Sequence, residues 1–363
     1  MKRILNGQVS RRTVLGAGLA GAGMLAMPSI LHAQDKSLKI GVYGGYFKKS
    51  FDENIFPEFT KATGIAVESI AEPTGEAWLV QLEQAAKAGQ APADVSMMSQ
   101  TSTLKGLGTE LWTPIDPARI KSFDSLLPHF SSKYRDGRIA GVGAVAWYIT
   151  LVTNTDVYKE PPTSWADMWD PANADKLGLL ALASNSFLLE VTSTTFMGGT
   201  NALDTEEGIL KAMEKLAELK PNVRLWYRDE AQFEQALKSG EIPMGQYYHD
   251  VTGLAAADGQ PVRSTFPKEG GIQDSGNWVL SRASEKVDEA HVFIDYMSQP
   301  AIQGLMSRKV GTAPTLKKDV LDLTAEEFAA VSSEIPPILP RYDLYTTKSD
   351  WINQKWTELI VAA

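Results

Sequence analysis

The chain has 363 residues, 44% of them hydrophobic, with 35 basic against 44 acidic side chains and a formal charge of −9. That length suits two domains with ordinary apolar cores, and the acidic balance argues against nucleic acid, whose phosphates require basic patches. The sequence has no cysteine, which excludes disulfides, thiolate metal sites, cysteine nucleophiles and the lipid-bearing cysteine of a lipoprotein.

Residues 1–33 differ in character from the rest of the chain. Lys2 and Arg3 precede Ser10, Arg11, Arg12 and Thr13, and a Gly/Ala-rich apolar run then closes at Leu31, His32 and Ala33. This is the pattern of a twin-arginine export signal, with cleavage expected after about Ala33. A membrane anchor is the competing reading, but the run is only weakly apolar and Pro28 interrupts it. Removing the leader takes away four basic residues and no acidic one, which moves the charge from −9 to −13. A free periplasmic protein is expected, with an acidic surface that favours cationic solutes.

In the mature chain, Leu38 to Tyr43 reads as a strand that Gly44 and Gly45 break before Tyr46. Phe51, Ile55 and Phe59 recur at four-residue spacing, a helix that stops at Thr63 and Gly64. Ile65 to Ile70 is a second strand, Glu76 to Ala88 a helix, and Ala93 to Met98 a third strand followed by Ser99, Gln100 and Thr101. Such alternation predicts a largely parallel sheet flanked by helices, with ligand groups at the carboxyl ends of the strands. Val142 to Asn154 is a long extended run holding Trp147 and Tyr148, read as a crossing between lobes.

A second α/β unit opens at Pro161, where Ser164 caps a helix carrying Asp167. Leu177 to Ala183 reads as a buried strand with Ser184, Asn185 and Ser186 at its end, and Ile209, Met213, Leu216 and Leu219 line one face of a helix. A helix over Glu230 to Lys238 stops at Gly240. The strand Ile242 to Tyr248 then delivers Tyr247, Tyr248, His249 and Asp250, and a glycine-permitted turn from Phe266 to Gly271 leads into Gln273, Asp274, Ser275, Asn277 and Trp278. Ser284 to Ser298 is a helix that completes the first unit, Thr324 with Glu327 makes a capping box, and Ser349 to Val361 closes the chain as an amphipathic helix.

The run PKEGG at Pro267 to Gly271 resembles the extracellular solute-binding proteins of ABC importers, in particular the spermidine/putrescine-binding branch. Phe56 to Gly64, Ala93 to Val95, Pro162 to Pro171 and Val310 to Thr315 fit the same pattern in the same order. The resemblance implies an α/β, two-lobed periplasmic-binding-protein fold (type II), each lobe a mainly parallel sheet flanked by helices. Lobe 1 is expected from residues 34–145 plus 273–322, and lobe 2 from 146–272 plus 323–363. It also implies a monomer that hands a small-molecule solute to an inner-membrane permease, with no cofactor and no catalysis. Polyamine binders of this branch carry an aromatic and then an acid soon after PKEGG, whereas Gln273, Asp274, Ser275 and Gly276 stand here, and Ser184, Asn185 and Ser186 replace an acidic cluster. A solute smaller than a long polyamine is therefore expected, one with a single amine or several hydroxyl or amide groups.

Candidate ligand-binding residues are Tyr43, Tyr46, Ser99, Gln100, Asn185, Tyr247, Tyr248, Asp274 and Trp278. Trp147 and Trp278 are open between cleft and core, whereas Trp165, Trp169, Trp351 and Trp356 are read as core. His249 is a candidate cleft residue, His291 a partly exposed bystander, and His129 a loop residue without a chemical role. Two alternatives stand beside the amine reading. Tyr247 and Tyr248 match the paired phenolates of ferric-binding relatives, although strand alternation turns successive side chains to opposite faces. A twin-arginine-exported enzyme is the other, but no HExxH, GxSxG or GxxxxGK[ST] is present. Gly16 to Gly21 and Gly141 to Ala146 imitate a dinucleotide fingerprint, the first inside the leader and the second ahead of an extended run rather than a helix.

Overall fold

The structure, a computed structural model, describes residues 36–73 and 77–361. The expected leader, its Gly16 to Gly21 run and the expected helix start at Glu76 lie outside these. No helix among the described residues is long and apolar enough to cross a membrane.

In β1 (Ser37–Tyr43) Leu38, Ile40 and Val42 are fully buried, and the exposed Lys39 shows the alternation that half-covers a strand. The amphipathic run after it forms two helices, α1 (Tyr46–Asn54) and α2 (Phe56–Thr63). Pro57 has no N–H to continue the hydrogen-bond ladder, so the single helix expected from periodicity breaks at Ile55. Then come β2 (Ala66–Glu72), α3 (Ala77–Lys87), β3 (Val95–Ser99) and an unexpected α4 (Gln100–Gly108), capped by Ser99. Short β4 (Trp112–Thr113) and β5 (Ser131–Lys133) precede the 16-residue β6 (Ile139–Asn154). Gly143 lies within β6, where an added Cβ would come 2.7 Å from Phe130. Close packing accounts for this glycine without a phosphate.

The Ser164–Asp167 capping box is present but opens only a 3-10 turn, Trp165–Trp169. β7 (Leu177–Leu180) ends earlier than expected, and α5 (Ala183–Ser186) and α6 (Leu188–Phe196) come next, divided by Phe187 in the left-handed region at φ 51°. α7 (Glu206–Ala217), β8 (Val223–Tyr227), α8 (Glu230–Ser239), β9 (Met244–Tyr248), α9 (His249–Ala257) and β10 (Val262–Thr265) lead to β11 (Ile272–Ser281). The chain finishes with α10 (Val287–Met297), α11 (Pro300–Val310), α12 (Ala325–Ala329), α13 (Tyr342–Thr347) and α14 (Ser349–Trp356).

The strand order is β2-β1-β3-β11-β6-β9-β7-β8. At one end β1 runs parallel to β2 and β3, and at the other β7 runs parallel to β8 and β9. The centre is antiparallel, because β11 and β6 are the long crossing strands and pair with each other over Ile272–Val279. Two large apolar cores lie on either side of them. One gathers Leu38, Ile40, Phe51, Phe59, Trp278 and Phe293; the other gathers Trp165, Leu179, Met213, Phe233, Tyr247 and Trp356. β6 itself changes core between Tyr148 and Ile149, and Ile272 of β11 belongs to the second core while Trp278 belongs to the first.

The PKEGG turn fastens this crossing to the second unit. The Ser164 hydroxyl and the Trp165 N–H both donate to the Glu269 carboxylate (2.5 and 3.1 Å), and the Trp165 indole donates to the Gly270 carbonyl (2.8 Å). A third strand of chain runs past, with Ile338 bonded to Gly271 and Gln273. Gly270 sits at φ +100°, and an added Cβ would lie 2.2 Å from the Pro336 carbonyl oxygen. Neither fault has a flexible side chain to absorb it. Gly270→Ala is expected to cost about 2–4 kcal/mol of unfolding free energy. Gly44→Ala, whose added methyl meets nothing closer than 3.9 Å, should cost under about 0.5 kcal/mol. Urea unfolding monitored by tryptophan fluorescence compares the two.

Candidate functional site

Where β6 and β11 cross, Asp274 pairs in register with Trp147. Its carboxyl Oδ1 accepts the Ser275 N–H at 2.7 Å and the Tyr342 hydroxyl at 2.6 Å. Burial pushes the Asp274 carboxyl up to about 6, against a weaker downward pull from those two donors. No basic group among the described residues contributes. Tyr43, at the carboxyl end of β1, lays its ring edge-on to Trp147 at 6.3 Å, and its hydroxyl is buried with no hydrogen-bond partner among the described residues. Burial first, then the charges of Glu72 and Asp274, hold the Tyr43 phenol well above its usual range. Glu72 is its register partner on β2 and is itself buried.

From the second unit, Tyr248 ends β9 and donates its hydroxyl to Glu230 at 2.9 Å; burial, Glu230 and Asp274 keep this phenol protonated too. Asp250, two residues on, has its carboxyl raised by burial to about 6, with Glu230 adding to the rise. The Asn185 carbonyl oxygen, in α5 just after β7, is buried and unpartnered among the described residues. Tyr43, Trp147, Tyr248, Asp274 and Tyr342 therefore share one electrostatic neighbourhood whose charges are carboxylates. A surface depression of about 650 Å³ between α2 and β2 is lined by none of them.

The remaining expected residues have other work. Trp278 is fully buried against Phe51 and Phe293, so it is a core residue and not a cleft residue. Tyr247 is 3% exposed and packs on Tyr227 and Phe233. Its ring also lies 5.3 Å from that of the half-buried Tyr248, so the two phenols stay neighbours despite strand alternation. Ser99 accepts the Ser102 N–H as the cap of α4, and the Gln100 carbonyl oxygen accepts from Asn277 and Ser132, which ties α4 to β11 and β5. Tyr46 is half exposed and touches Phe47. His249 is bonded to Ser264 and lies against Phe266.

One histidine expectation needs correction. His291 is buried, not partly exposed: its Nδ1 lies 2.7 Å from the Val287 carbonyl and its Nε2 accepts the Asp116 N–H, which pins the loop after β4 to α10. His129 joins a hydrogen-bonded chain through Gln273 (2.8 Å) to Tyr148 (2.8 Å), at the point where β6 changes core. The Tyr247 and Tyr248 hydroxyls donate to Glu234 and Glu230, and burial with these carboxylate neighbours raises both phenols.

Tyr342 had no signal in the sequence. It stands on a one-and-a-half-turn helix whose place is fixed by distant partners. The buried Glu190 of α6 accepts the Arg341 N–H and the Tyr345 hydroxyl, both at 2.8 Å, and Arg341 also pairs with Asp204 and Asp343. Burial raises Glu190 to about 7. Phe187, held at positive φ, turns its ring edge to both Tyr342 and Tyr345.

Asp274, Asp250 and Glu190 all bind protons more tightly folded than unfolded. Their folded values are near 6, 6 and 7 and the unfolded ones near 4, so no penalty applies below about pH 4. The penalty grows as pH rises through the folded values. Ligand-free protein should therefore lose unfolding free energy between pH 4 and 7, and Asp274→Asn should flatten the part of that slope between pH 4 and 6. Urea midpoints at four pH values test it; a variant slope equal to the wild type would remove Asp274 from the account.

The family model for bacterial extracellular solute-binding proteins matches residues 54–330. The gamma-aminobutyric acid-binding protein of Pseudomonas aeruginosa is 27% identical over 300 residues, covering 81% of each chain. The spermidine/putrescine-binding periplasmic protein 1 of Haemophilus influenzae is 27% identical over 307 residues, 80% of this chain and 78% of that one. In three dimensions, an ABC transporter substrate-binding protein from Bradyrhizobium japonicum superposes with a TM-score of 0.75 at 18% identity, over 90% of this chain and 99% of that one. The family match over residues 54–330 assigns the chain to the bacterial extracellular solute-binding protein family, a family of binders and not of enzymes.

Proposed function

We propose that this protein captures a small amine-bearing solute in the periplasm and delivers it to the membrane permease of an ABC importer. The observation that carries the reading is Asp274. Its carboxyl is half-buried, no basic group among the described residues offsets it, and Trp147 lies opposite it in the ladder. An isolated buried carboxylate is unfavourable; an ammonium supplies the missing charge, and ring faces of Trp147 and Tyr43 add cation–π attraction. The named ligands of the two relatives above each carry an amine, which agrees with this chemistry. One carboxylate at the crossing, with Asn185 in the place of an acidic cluster, favours a short solute with one amine end over a long polyamine.

In this reading the lobes comprise residues 34–145 plus 273–322 and 146–272 plus 323–363, and ligand draws them together about the crossings. The leader over residues 1–33 directs export by the twin-arginine route. Calorimetric titration with 4-aminobutyrate and with putrescine tests the anchor. Asp274→Asn should weaken the better ligand by about a hundredfold or more, the cost of removing one partner of a desolvated pair. Wild-type affinity should fall by up to about tenfold per pH unit below pH 6, since the amine must displace a proton from Asp274. Equal affinity at pH 5 and pH 8 would contradict the reading.

A further inference from the structure

We propose that Tyr342 sets the specificity of the site, occupying one oxygen of the Asp274 carboxylate so that ammonium groups are accepted and guanidinium groups are disfavoured. The inference rests on the amine reading above and adds a discrimination within it.

A carboxylate offers two oxygens, each with two lone-pair directions. Asp274 Oδ1 has both filled, by the Ser275 N–H at 2.7 Å and the Tyr342 hydroxyl at 2.6 Å. Oδ2 is the oxygen left for a ligand. A guanidinium is a rigid planar fork that binds best when its two parallel N–H groups reach both oxygens of a carboxylate. An ammonium is compact, and each N–H needs only one acceptor. With Oδ1 occupied, the fork loses half its contact while the ammonium loses little.

The phenol is held in place to do this. α13 is tied to the second core through Glu190, which accepts from Arg341 and Tyr345. The Arg341 guanidinium is bound by Asp204, Asp343 and the Thr200 carbonyl. The same short helix also lies against α4 on the other side, so Tyr342 reaches Asp274 from a segment braced by both units. A side chain anchored so cannot swing aside for a fork without breaking its own bond to Oδ1.

The test titrates wild type, Tyr342→Phe and Tyr342→Leu with two matched pairs, butylamine with butylguanidine and 4-aminobutyrate with 4-guanidinobutyrate. Wild type should bind the amine of at least one pair more tightly. In both variants the amine-to-guanidine affinity ratio should move toward guanidine by about tenfold, the worth of one regained charge-assisted hydrogen bond at about 1.4 kcal/mol per decade. Ligand-free thermal melts identify a variant that has lost its fold, and the second variant then carries the answer. Amine binding with an unchanged ratio in a folded variant overturns the role of Tyr342 and leaves the amine reading standing. Wild-type preference for guanidine overturns it likewise. If folded wild type binds no member of either pair, the amine reading fails and the proposal falls with it.

Discussion

A half-buried acidic group with no positive charge beside it among the described residues is the constraint on which the rest of this structure depends. Asp274 sits on the strand that passes between the two cores, and burial holds its carboxyl near 6. A folded protein tolerates such a group only at a cost in stability that rises with pH, and the natural compensation is a bound cation. Under the proposed function that penalty becomes a source of affinity, because a ligand that binds only the folded state restores stability by mass action. Around it the phenols of Tyr43, Tyr248 and Tyr342 are all kept protonated, so they stay neutral donors where negative neighbours would otherwise repel one another.

The fold delivers that group through its crossings. β6 and β11 pair antiparallel between two parallel flanks, which leaves the ends of β1, β3, β7 and β9 directed toward the region they span. The PKEGG turn is a fastening in this design. Glu269 commits both carboxylate oxygens to the start of the Trp165 turn, and Gly270 permits the close passage of the Pro336 backbone. The motif that made the resemblance legible thus builds the frame, and the proposed ligand anchor, Asp274, lies a few residues beyond it.

What could be read from the chain and what could not divides along contact range. Alternating strands and helices, the Ser164 and Thr324 capping boxes and the glycine stop at Gly240 are local patterns, and each appears in the structure. Asp274 stands out in the sequence as a lone acid beside the turn. Strand period misleads at Tyr247 and Tyr248, whose rings pack against each other at 5.3 Å. Tyr342 is invisible there because a six-residue helix has little periodicity and this one is positioned by Glu190, 151 residues away from Arg341 in sequence. His291 misleads for a similar reason, since its partner Asp116 lies 175 residues distant. Trp278 resembles a site residue by its neighbours in sequence, but β11 alternates and turns it into the first core. The helix break at Ile55 comes from Pro57, a local signal that apolar spacing outweighs.

The central claim is that the uncompensated carboxylate exists to hold an amine. Native mass spectrometry of protein purified without denaturation, with release and identification of whatever it carries, tests this most directly. The account predicts one low-mass solute per chain, bearing at least one protonatable amine and no more than a short carbon backbone. A bound solute without basic nitrogen, or a bound ferric ion, would contradict it.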